Sequence, residues 1–120
     1  MHVKIDRYAI LHGNPSDMNF CPIALAVMAV KNKDVIDVEV GTHEITLTLS
    51  NLSQQVAALP YRGQKFVESF DALAIQIWDD VDYDMHDRIE RNSRLVHFKE
   101  FELDLEFHTY EPYESDDNDS

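Results

Sequence analysis

Apolar and polar residues alternate from the start of the chain. Val3 and Ile5 flank Lys4 and Asp6, which predicts a short strand over His2 to Tyr8. His12-Gly13-Asn14-Pro15-Ser16-Asp17 is turn chemistry. The next stretch, CPIALAVMAVKNK, predicts a helix over about 21–32. Pro22 suits the first helical position, and Lys31 and Lys33 suit the negative C-terminal end. Ile23, Leu25, Val27, Met28 and Val30 run almost all the way round it, so it is expected to be the central core element. Over Val35–Val40, Ile36, Val38 and Val40 alternate with Asp37 and Glu39, His43–Leu49 alternates likewise, and Gly41-Thr42 joins them, the pattern of a β-hairpin with one face inward.

Asn51–Leu59 has no clear period, and a short helical turn is the expectation there. Phe66, Phe70, Leu73 and Ile77 then fall on one helical face, predicting a second helix over about 62–77. In the last third, Phe101, Leu103, Leu105 and Phe107 alternate with Glu102, Asp104 and Glu106. Val96 and Phe98 occupy the opposite phase, so a bulge or break is expected near Lys99-Glu100. The order β-α-β-β-α-β predicts an α+β fold, in which a single layer of three or four mainly antiparallel strands packs against two helices. Residues 1–110 form one domain in this reading, with 79–93 an acidic surface excursion and 111–120 an acidic flexible tail.

Charge changes the picture more than composition does. The chain of 120 residues has an ordinary apolar fraction of 44% but a formal net charge of −13. Residues 1–78 hold eight acids and six bases, a net of −2; residues 79–120 hold fifteen acids and four bases, a net of −11. This balance argues against direct nucleic-acid binding, which depends on Lys and Arg meeting phosphates. It argues equally against an acidic membrane surface. The longest apolar run, Phe20–Val30, is far short of a span and contains a proline. One cysteine and no secretory-signal pattern in MHVKIDRYAI predict a soluble, cytoplasmic protein.

A set of short motifs reads Cys21-Pro22-Ile23-Ala24-Leu25-Ala26, then Leu59-Pro60, then Phe66-Val67 and Phe70-Asp71, then Phe101-Glu102-Leu103. Together they resemble a family of small bacteriophage and bacterial proteins without an assigned activity. The resemblance covers most of residues 20–105. It implies phage origin and an αβ fold, and it carries over no catalytic residue. The stretch 75–94 and the acidic tail depart from the pattern.

Candidate chemistry is sparse. Cys21 near a helix start, with His12 as a conceivable base, is set against the reading of a buried core thiol, which the apolar surroundings favour. Asp80, Asp82 and Asp84 imitate the start of a calcium loop, but Met85 and Arg91 stand where Gly and a bidentate Glu are needed. His86 and Asp87 lack zinc-type spacing, and the six histidines are scattered. No catalytic residue, metal site or cofactor is therefore assigned.

The sharpest feature is the acidic strand. Carboxylates at 102, 104 and 106 repeat about every 6.7 Å along a strand. Such a row can meet a basic groove as a phosphate backbone does. It can also be no more than the solvated face of an edge strand. The leading expectation is a non-enzymatic, phage-type protein that binds a host protein with a basic surface; its specific form is a DNA-mimic inhibitor of a nucleic-acid-binding or defence protein. The assigned contact residues are Asp79, Asp80, Asp82, Asp84, Asp87, Glu102, Asp104 and Glu106. One rival is a ligand-binding or enzymatic domain with a pocket lined by Tyr8, Tyr61, Trp78 and Tyr83. Another is a homo-oligomer formed through a sheet edge or the apolar hairpin face.

Overall fold

The computed structural model describes residues 1–80, 95 and 97–110, apart from the side chains of 74–80. Its elements run β1 (His2–Ile5), α1 (Arg7–His12), α2 (Pro22–Val30), β2 (Val35–Val40), β3 (Glu44–Leu49), β4 (Gln54–Ala58), α3 (Tyr61–Asp80), β5 (Phe101–Asp104) and β6 (His108–Thr109). The fold is α+β with antiparallel strands, as the patterning predicts, but the strands divide between two sheets. One has the order β1-β5, the other β2-β3-β4-β6.

The segment after α3 serves both sheets. Its first half pairs with β1, from Ile5 opposite Phe101 to His2 opposite Asp104. Leu105 and Met1 then exchange two further backbone bonds, at 2.6 and 2.7 Å. The second half crosses to β4, where His108 lies opposite Val56. The predicted interruption near Lys99-Glu100 takes the form of a break. Phe98 closes a turn onto Leu95, and β5 begins only at Phe101.

Helix α2 is the centre of the core. Cys21 caps it and Pro22 opens it, and Pro22, Ile23, Ala24, Ala26 and Val27 are buried. It contacts β1 of one sheet and β2 of the other, as well as α1. Such an all-round apolar helix is stable only when enclosed in this way. The inward faces complete the enclosure with Val3 and Ile5, Val38 and Val40, Ile45 and Leu47, and Leu103 and Leu105. Phe70 of α3 is 1% exposed and stacks with Phe66. Both rings meet Phe98, and Phe66 also meets Phe101.

Four elements depart from the sequence expectation. The strand at the start ends at Ile5, and α1 follows, begun by the Asp6 carboxylate accepting from Ala9 N–H at 2.9 Å. Gln54–Ala58 is strand β4 rather than a helical turn. A turn over 49–53 returns the chain, with Leu52 at φ 70° and Asn51 Oδ1 accepting from Ser53 N–H. Helix α3 continues past residue 77 to Asp80 and takes in the first two residues of the excursion expected over 79–93, of which 81–93 lie outside the described residues. Finally, β2 carries a register irregularity between Val35 and Asp37 that turns Ile36 outward, 57% exposed.

Gly13 is fixed by close approach. A Cβ there would lie 2.4 Å from the ring of Pro22, so α1 and the start of α2 meet at a distance only glycine permits.

Candidate functional site

Strand β5 mounts the acidic row. Phe101 and Leu103 point inward and are buried, and Leu105 just beyond continues that inner row. The strand's two-residue period therefore sends Glu102, Asp104 and, past its end, Glu106 outward, where all three are exposed. The Glu102 and Asp104 side chains are 58% and 87% exposed. A strand anchored on one side and exposed on the other spaces the backbone positions of its charges regularly.

The row is not purely acidic once its neighbour is considered. Pairing with β1 sets His2 opposite Asp104 and Lys4 opposite Glu102. His2 Nδ1 bonds Asp104 Oδ1 at 2.7 Å, and Nε2 bonds Glu102 Oε1. These bonds, to Asp104 first and then Glu102, raise the His2 pKa above its ordinary 6.5. Lys4 Nζ lies 3.8 Å from Glu100 Oε1, while Glu100 Oε2 accepts the backbone N–H of Arg7 at 2.8 Å. The surface is thus a carboxylate row with a thin border of cations. The His2 contact was not legible in the sequence, because it joins residues 102 and 100 positions apart.

Of the other assigned contact residues, Asp79 and Asp80 form the end of α3 with their side chains outside the described residues. Asp82, Asp84 and Asp87 lie outside them altogether, as do Tyr83 and His86.

Cys21 is a core thiol. It is 6% exposed, its Sγ accepts from Ala24 N–H at 3.5 Å, and burial pushes its pKa up to about 11. A thiol so raised is protonated at neutral pH and a poor nucleophile. His12 stacks on Tyr8 and bonds the Tyr8 carbonyl. Tyr8 and Tyr61 are 66% and 70% exposed, so they sit on the surface rather than in a pocket. A half-open cavity of about 420 Å³ does exist between Val35, Leu47, Leu49 and Phe107. Met1, Asn32, Asp34 and Gln55 complete its lining, which among the described residues has one carboxylate and neither His nor Cys.

Among the described residues no group of three His, Cys, Asp or Glu side chains is arranged to hold a metal ion. The trio His2, Glu102 and Asp104 illustrates why. The carboxylates bind opposite nitrogens of one ring and do not converge on a point. No described helix is long and apolar enough to cross a membrane. Comparisons with protein-family models, curated proteins and solved structures found no match.

Proposed function

We propose that the chain is a non-enzymatic accessory protein of phage type that binds a basic host protein in the host cytoplasm. Contact is made through the acidic face of its C-terminal third, in the manner of a DNA mimic. The observation that carries this reading is the mounting of β5. Its inward residues are buried while Glu102, Asp104 and Glu106 are exposed in a regular outward row. Carboxylates at strand spacing on a rigid element offer a basic groove the regular negative charge it meets on a phosphate backbone. Such contact associates quickly and weakens with salt.

The test is capture from bacterial lysate at low salt. The full chain retains a basic protein that duplex DNA competes away, and the Glu102→Lys/Asp104→Lys/Glu106→Lys variant does not. Equal capture by both chains overturns the reading. A small-ligand role has one observation in its favour, the cavity over Leu47 and Phe107.

A further inference from the structure

The two nitrogens of the His2 ring meet two different carboxylates, those of Asp104 and Glu102. Ionised carboxylates accept hydrogen bonds and donate none, so both ring nitrogens must carry a proton. The arrangement therefore belongs to the imidazolium. A neutral ring has one N–H and keeps one partner at most. We propose that His2 is a proton-operated clasp over the acidic row: protonated, it holds Glu102 and Asp104 against β1, and deprotonated, it frees at least one of them for a basic partner. The inference deepens the surface reading above and rests on it.

The surroundings of His2 suit this role. On its own strand, Lys4 shares the outward face and turns toward Glu100, and the Met1 ammonium is held by the Leu105 carbonyl. From β5 come the two partners, with Glu106 exposed two residues further on. Arg7 lies past Lys4, its backbone bonded to Glu100 and its guanidinium to the Phe98 carbonyl. Helix α2 contacts β1 where Val3 and Ile5 are buried, and its sequence PIALAVMAV has no ionisable side chain. Nothing on that side of the strand opposes or replaces the clasp among the described residues.

The pH direction follows from the raised folded-state pKa. The clasp is fully present below the ordinary value of 6.5 and is lost as pH rises through the raised value. The row is thus capped below 6.5 and opens as pH rises through the raised value. The ring is exposed, so the device biases the surface and does not hold the fold together.

The test uses the full chain, with octa-lysine as a basic probe. By NMR, His2 titrates above 6.5 in the wild type and moves back toward 6.5 in the Glu102→Gln/Asp104→Asn variant. From one pH unit above the His2 pKa so measured to one unit below it, octa-lysine binding weakens about two- to fivefold more in the wild type than in His2→Gln. Titration at the ordinary value, or titration unmoved by the double variant, overturns the clasp. Equal pH dependence in wild type and His2→Gln, with binding still lost on reversal of the row to lysine, overturns the gating while sparing the surface reading. Octa-lysine binding that ignores the row reversal, beside a raised His2, overturns the surface reading and the gating with it.

Discussion

The two sheets share one core but differ on their outer faces. The four-stranded sheet turns Thr46, Thr48 and Gln54 outward among the acids Asp37, Glu39 and Glu44, which lie opposite Thr48, Thr46 and Ala58 rather than opposite other charges. The two-stranded sheet turns out His2, Lys4, Glu102 and Asp104, every one ionisable and more than half exposed. A two-stranded ribbon is not stable alone in water. This one is held by its inner face, where Val3, Ile5, Phe101 and Leu103 enter the core. Exposed ion pairs add little to stability. The outer face of the small sheet is therefore a place where opposed charges sit together with little tie to folding.

Substitutions on the inner side put the largest strain on that comparison. Leu103→Ala removes a side chain that is 3% exposed, and a loss of about 2–5 kcal/mol is expected by chemical denaturation. If it cost no more than an outward substitution on the same strand, the division between the faces would fail. Gly13→Ala forces a methyl group into Pro22 and should cost about 1–3 kcal/mol, measured in the same way. Asp6→Ala removes the carboxylate that caps α1 and should cost about 1 kcal/mol.

What the sequence made legible follows the length of each periodic signal. Helix α2 and the β2–β3 hairpin stood out because their apolar positions repeat over many residues and agree with their turn and capping residues. The acidic row was legible for the same reason, since Phe101 to Phe107 alternate without interruption. Helix α1 was hidden because it is six residues long and buries only Ala9 and Ile10, fewer than two turns of pattern. Its signal was Asp6, a capping residue ahead of Arg7-Tyr8-Ala9-Ile10. Strand β4 was hidden because Gln-Gln-Val-Ala-Ala has weak strand preference, and pairing with β3 and β6 decides its conformation. The end of α3 was misplaced because Asp79 and Asp80 oppose the negative end of the helix dipole. The clasp of His2 needed the β1–β5 pairing, which no local pattern encodes.

The outward row should leave the fold nearly untouched. Reversing Glu102, Asp104 and Glu106 to lysine places new cations near His2 and Lys4, for an expected cost of about 1 kcal/mol or less. The central claim is that this row contacts a basic partner while the opposite face of the strand holds the fold. Its most direct test titrates the partner captured by the wild type against the wild type and the triple reversal, with a denaturation curve for each. The account predicts near-equal stability, with affinity for the reversed chain falling by about tenfold or more at low salt. Unchanged affinity in a folded triple variant would contradict it.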